Sequence, residues 1–124
     1  MGLVGYFQGT DPRTLNRLVV RGIETLPLSN GWDANGKLVA HLTPKDGVGC
    51  VIGNLYKAIP VGEGLSAKDI LWNLHQHMIP VVLVVEDEDH DAAKKLLGEV
   101  ADGVKLTSRE NLFDVVNEIL AAET

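Results

Sequence analysis

Short apolar runs alternate with amphipathic segments along the chain, a pattern typical of parallel strands joined by helices. The run at residues 80–85 contains four valines and one leucine and has no polar position. It is too short for a typical helix, and both of its faces must be covered because nothing in it is polar. We therefore predict a central strand that ends at the acidic residues 86–91.

The remaining segments can be placed around this strand. Two other apolar runs predict buried strands, at residues 3–7 and 48–52. Two mixed runs predict edge strands, at residues 23–28 and 104–107, and Pro27 supports the first of these because central strands exclude proline. Amphipathic segments with capping residues predict four helices, over residues 12–21, 66–78, 91–101 and 108–121.

Residues 29–47 allow two interpretations. In the first, residues 36–42 form a short helix; in the second, Asn35 and Gly36 form a hairpin turn between residues 32–34 and 37–39. We favour the helix, because a crossover between parallel strands usually contains one.

Ordering the five predicted strands 2-1-3-4-5 puts the three apolar strands inside the sheet and the two mixed strands at its edges. The sequence thus predicts a single α/β domain over residues 1–124, with helices on both faces of a mostly parallel five-stranded sheet. This three-layer, doubly wound arrangement resembles the flavodoxin-like fold and is Rossmann-like in the wider sense. The resemblance rests on the pattern alone.

A ligand site is expected where the strand order reverses, because open α/β sheets bind ligands beyond the carboxyl ends of their strands. Loop amides and one lysine would face an anion there, and the alternative is that these are ordinary turn residues. The predicted ligand-binding residues are Gln8, Gly9, Thr10, Asp11, Gly53, Asn54, Tyr56, Lys57, Glu86 and Asp87.

Two groups of proteins with this strand order differ from the chain at their functional residues. Receiver domains of response regulators carry an acidic pair after the first strand, where this chain has Gln8 and Gly9. Flavodoxins bind the flavin phosphate in a loop rich in glycine and hydroxyl residues, which residues 9–14 match only loosely. Asp11 would repel that phosphate, so the sequence assigns no cofactor.

Residues 86–91 carry five carboxylates and one histidine, and they have two interpretations. Carboxylates favour helix N-termini, and oxygen ligands also suit Mg²⁺ or Ca²⁺. We favour the first interpretation and expect no metal, because the rest of a calcium-binding loop is missing. His75 and His77 point to different sides of a helix and so do not share a metal, and no catalytic residue is identified.

The composition and charge of the chain reduce the classes of partner that we expect. The net charge is −6, and residues 63–124 carry thirteen acidic against five basic residues, which disfavours nucleic acid. No apolar run approaches the ~20 residues of a membrane span, so we expect a cytoplasmic protein without membrane contact. Cys50, the single cysteine, is expected to be a small buried core residue.

Three functional hypotheses remain. The first is binding of a small anionic ligand, nucleotide- or phosphate-like, at the carboxyl ends of the first and third strands, by a homo-oligomer. The second is a small hydrolase or transferase that uses carboxylates at the same rim. The third is a non-enzymatic subunit or scaffold with Trp72 and the final helix as its contact surface. Trp32 is a further candidate, as a lid over the site.

Overall fold

The computed structural model describes residues 2–30, 36–59 and 67–122. These residues form one parallel sheet whose strands are β1 (Leu3–Phe7), β2 (Glu24–Ser29), β3 (Lys37–Leu38), β4 (Val48–Asn54), β5 (Val81–Val84) and β6 (Val104–Thr107). The α-helices are α1 (Pro12–Val20), α2 (Leu55–Ala58), α3 (Ala67–Gln76), α4 (His90–Leu97) and α5 (Leu112–Ala122). Short 3₁₀ segments cover Val39–His41, Pro44–Asp46, Asp87–Asp89 and Gly98–Gly103.

The parallel α/β sheet is confirmed. The five predicted strands lie in the relative order 2-1-3-4-5, but the predicted count is wrong, because a sixth strand at one edge changes the full order. The described residues form six strands in the order β3-β2-β1-β4-β5-β6. The additional strand, β3, is two residues long and pairs with Leu28 and Ser29, just beyond Pro27. Because β3 covers this side, β2 is an interior strand rather than the predicted edge. Two residues carry no periodicity, so the pattern of the sequence did not reveal β3.

Side chains from the sheet pack into two cores, one on each face, because successive strand residues point in opposite directions. On one face Phe7, Val51 and Leu83 meet the buried sides of α2, α3 and α4. On the other face Val4, Cys50, Ile52 and Val82 meet α1 and α5. Val81, Val82 and Leu83 are buried, and β5 lies between β4 and β6, as residues 80–85 predicted.

Helix boundaries depart from prediction where capping was inferred from residue type. Asp11 caps α1 as expected, since its carboxylate accepts the Arg13 amide at 3.2 Å. Asp89 precedes α4 without a side-chain capping bond, and the last predicted turns of that helix are the 3₁₀ segment Gly98–Gly103. The final helix begins at Leu112 rather than Ser108, after a turn. Ser66, the expected cap of α3, lies outside the described residues.

Residues 36–42 do not form the favoured helix. Residues 32–34, the first strand of the alternative hairpin, lie outside the described residues, and Lys37 and Leu38 pair in parallel with β2. The helix is limited to one 3₁₀ turn, Val39–His41, and Trp32 lies outside the described residues. The amide of Asn73 on α3 donates to the carbonyl oxygens of Val39 (3.1 Å) and Leu42 (2.7 Å), so a distant helix replaces the hydrogen bonds that a longer local helix would supply.

Trp72 and α5 lie on opposite faces of the sheet. Trp72 belongs to α3, whose buried residues join the core shared with α2 and α4, whereas α5 packs on the other face with α1. Trp72 is 42 % exposed, as predicted. Met78, the last residue of the predicted helix 66–78, is 88 % exposed, because the chain leaves α3 two residues earlier and Met78 takes a positive φ of 57°. Trp72 and α5 therefore do not lie side by side on one face of the sheet, and the proposed contact surface stays a prediction.

Asp46 gives the fold a defined pH dependence. Its carboxylate accepts the Thr43 amide at 2.8 Å and the Lys37 ammonium at 2.9 Å, and these bonds lower the pKa of Asp46 below its ordinary value, the Thr43 bond most. A lowered native pKa stabilises the fold above the unfolded pKa, and this contribution is lost as pH falls through the native value.

We therefore expect the Asp46→Asn variant to be less stable than the wild type at pH 7, with a difference that shrinks below about pH 4. Urea unfolding at several pH values measures this difference. Lys37→Gln should reproduce only part of it, because the Thr43 bond remains. A difference that does not change between pH 7 and about pH 3 would contradict the assigned cause.

Candidate ligand-binding site

The candidate site lies where the strand order reverses, between β1 and β4. From β1 the sheet extends through β2 and β3 on one side and through β4, β5 and β6 on the other. The connections leave on opposite faces, so a crevice opens above the carboxyl ends of these strands. A cavity of about 180 Å³ occupies the part of this crevice next to α1 and α5. This is less than the ~300 Å³ of a typical small-molecule pocket, so the cavity suits one compact group.

The turn after β1 forms one wall of the cavity and brings in Gly9, Thr10, Asp11 and Pro12. The buried Thr10 hydroxyl donates to the Phe7 carbonyl at 2.6 Å, so its proton is used inside the turn. The Asp11 carboxylate holds the Arg13 amide, and Pro12 has no amide proton. The beginning of α1 therefore provides few free N–H or O–H donors for an anion. The Asp11 carboxylate suits a ligand hydroxyl or amine instead.

Gly9 and Lys57 are close neighbours in a way the sequence did not show. Gly9 has a φ of 89°, and a Cβ built there would lie 2.3 Å from Cδ of Lys57. The methylene stem of Lys57 thus packs over Gly9, from α2 on the other face of the sheet. Lys57 does not line the cavity, and its predicted role as the counter-charge of a bound anion has no support from this placement.

The carboxyl end of β4 forms the floor of the cavity. Gly53 and Asn54 were predicted to close this strand, but both belong to it and pair with Leu83 and Val84 of β5. A Cβ on Gly53 would lie 3.0 Å from the Phe7 side chain, so a larger residue would clash with the core at this position. Gly53 lines the cavity, and the half-buried Asn54 lines it next to Gly53.

Arg109 is the residue that sequence reasoning missed. It lies two residues beyond the end of β6 and lines the cavity together with Leu112 of α5. No ion pair among the described parts of the chain includes Arg109. The sequence did contain a signal for Arg109. The carboxyl ends of parallel strands meet at one edge of a sheet, and Arg109 is the first cation after the end of β6. Arg109, rather than Lys57, is therefore a cation in the lining of this cavity.

The ten predicted residues divide evenly between the cavity and its surroundings. Gly9, Thr10, Asp11, Gly53 and Asn54 line it. Gln8, Tyr56, Lys57, Glu86 and Asp87 do not, and all five are exposed. Glu86 and Asp87 follow β5 at the same rim, but the chain turns there into the segment Asp87–Asp89 and away from the cavity.

The acidic residues 86–91 form the 3₁₀ turn and the first turn of α4. His90 Nε2 lies 3.7 Å from an Asp87 carboxylate oxygen, beyond hydrogen-bond distance. Among the described residues, no group of three or more His, Cys, Asp or Glu side chains is arranged to hold a metal ion. These carboxylates therefore lie at the beginning of α4, where the helix-terminal interpretation places them.

Comparison with known proteins adds no family to these observations. The chain matches no protein-family model, and no curated protein matches it at a significant level. Among the described helices, none has the length and apolar character needed to cross a membrane. The function must therefore be argued from the site itself.

Proposed function

We propose that the protein binds a small anionic ligand, phosphate- or carboxylate-bearing, at the carboxyl ends of β1, β4 and β5. The observation that carries this proposal is Arg109 at the mouth of a cavity in the crevice where the strand order reverses. A guanidinium presents N–H donors in a planar fork that matches phosphate or carboxylate oxygens. Asp11 and Asn54, on the other walls, suit the hydroxyl or amide groups of the same ligand.

The enzymatic hypothesis has weaker geometric support. Of the rim carboxylates on which it depends, Asp11 lines the cavity, whereas Glu86 and Asp87 lie outside it. A binding function needs only the residues that line the cavity. The predicted homo-oligomer and the absence of nucleic acid and membrane partners stay predictions. Sedimentation of the purified chain checks the first of them.

Arg109→Gln should weaken binding of phosphate-bearing ligands by about tenfold or more, because a charge-assisted hydrogen bond contributes about 1.5–3 kcal/mol. Calorimetric titration with inorganic phosphate, sugar phosphates and nucleotides measures the change. Lys105→Gln is the matched control, since it removes one positive charge from the exposed side of β6, away from the cavity. The proposal fails if none of these ligands binds the wild type, or if both variants behave alike.

A further inference from the structure

A second cavity lies beside the first and shares Asp11 and Arg109 with it. It measures about 310 Å³ and lies on the surface between α1 and α5. Arg13 and Arg17 line it, together with Glu110 and the ring of Phe113. Because Arg109 borders both cavities, it is placed to contact anionic groups in either one.

The arginines on this surface form an unusual concentration of charge. All four arginines of the chain lie near it, although the chain as a whole carries a net charge of −6. Arg13, Arg17 and Arg21 are spaced four residues apart along α1 and its C-terminal cap, so they follow one side of the helix. Their mutual repulsion disfavours the helix, and Arg13 stands at the end where the helix dipole disfavours a cation.

The same surface leaves these charges without ion pairs. None of the ion pairs found in residues 2–30, 36–59 and 67–122 involves an arginine. Asp11 and Glu110 also line the second cavity, but the Asp11 carboxylate is engaged with the Arg13 amide. Three guanidinium groups thus face two carboxylates, and an anion entering the cavity would correct the imbalance.

Phe113 holds one of the guanidinium groups in place. The Cζ of Arg17 lies 3.8 Å from the centre of the Phe113 ring, and that of Arg21 lies 5.4 Å away. A guanidinium stacked on a ring keeps the N–H donors at its edge available, and it loses less freedom when they bind an anion. Arg17 is therefore pre-ordered at the border of the cavity, whereas Arg21 touches the ring without lining the cavity.

We propose that Arg13, Arg17 and Arg109 form a second anion subsite, and that the ligand is a small molecule with two separate phosphate groups joined by a hydroxylated core. One phosphate lies in the smaller cavity, the other lies against Arg17, and Arg109 contacts both. This inference rests on the proposed function, since it takes the first cavity as the site of the first anionic group.

The test uses matched pairs of ligands in calorimetric titrations: fructose 6-phosphate with fructose 1,6-bisphosphate, ribulose 5-phosphate with ribulose 1,5-bisphosphate, and AMP with adenosine 3′,5′-bisphosphate. At least one bisphosphate should bind about tenfold tighter than its monophosphate, the gain expected of one added charge-assisted contact. Arg17→Gln and Arg13→Gln should remove this gain, so that the bisphosphate binds each variant no more tightly than its monophosphate does.

Arg21→Gln is the matched control for Arg17→Gln, because it removes an equal charge from the end of the same helix and from the same ring without reaching the cavity. It should leave the bisphosphate gain intact. Equal losses in the two variants would overturn the proposal, since the arginines would then act only by covering Phe113. Of the arginines that the structure describes, only Arg17 and Arg21 have a guanidinium over that ring, so Arg13→Gln gives the answer even if Arg17→Gln fails to fold.

The two proposals fail differently in this experiment. If monophosphates bind through Arg109 and no bisphosphate binds more tightly, the second subsite is refuted and the first stands. If no phosphate ligand binds the wild type, both are refuted.

Discussion

Replacing Gly36 with alanine should destabilise the protein by about 3 kcal/mol, because backbone strain and a steric clash add at this position. Gly36 has a φ of 93°, which an L residue adopts at a cost of about 1–2 kcal/mol. A Cβ there would also lie 2.5 Å from the Pro27 carbonyl oxygen and 2.9 Å from its carbon. These are backbone atoms of β2, so relief requires β3 to move away from the sheet.

Gly47→Ala is the matched control. Gly47 has a similarly positive φ of 73°, but nothing lies within 4 Å of the added Cβ. This variant should lose only the strain, about 1–2 kcal/mol. Urea unfolding of both variants measures the difference, and amide exchange reports whether Lys37 and Leu38 detach. Equal losses would show that the close approach of Gly36 to Pro27 does not constrain the fold.

Asn73→Asp should cost about 3 kcal/mol at neutral pH, because a carboxylate would face two carbonyl oxygens and have no proton to offer them. In the wild type the Asn73 amide donates to the carbonyls of Val39 and Leu42, two residues that are each 1 % exposed. These two bonds hold the segment before β4 against α3. Asn73→Ala should cost less, about 2 kcal/mol, since it leaves the two oxygens without a donor but adds no charge.

The pH dependence separates these two variants. The carboxyl group introduced by Asn73→Asp is protonated at low pH and then donates one hydrogen bond. Because the two carbonyl oxygens disfavour the charged form and raise the native pKa of the new carboxyl group, the loss in Asn73→Asp should shrink as pH falls from 7 to about 4, whereas the loss in Asn73→Ala should change little relative to the wild type. Thermal and urea unfolding at about pH 4 and pH 7 measure both. Asn73→Asp as stable as the wild type at pH 7 would exclude a structural role for the two bonds.

Elements built from local patterns could be predicted from the sequence. The strands at 3–7 and 80–85 and the helix after Asp11 were found because each has its own apolar run, periodicity or capping residue. Five of the ten predicted site residues line the cavity, and topology explains why they could be predicted. The turns after β1 and β4 meet wherever parallel strands are ordered in this way, so Gly9 and Gly53 followed from topology alone.

The two errors in the predicted cavity residues, Lys57 and Arg109, have a different cause. Lys57 was assigned to the site by its charge and its loop, but its stem packs over Gly9 from the other face of the sheet. Arg109 was overlooked because nothing around it in the sequence resembles a binding motif. It reaches the cavity only because β6 ends next to β5 and α5 begins at Leu112.

The sequence by itself determined the α/β class, the buried strands and the edge of the sheet where a ligand would bind, because apolar periodicity and capping act over a few residues. Only the tertiary structure decided the sixth strand, the position of Arg109 and the stacking of Arg17 on Phe113. Each of these depends on contacts between segments far apart in the chain. Such contacts are selected by packing and by the need to satisfy backbone groups, and neither leaves a periodic pattern in the sequence.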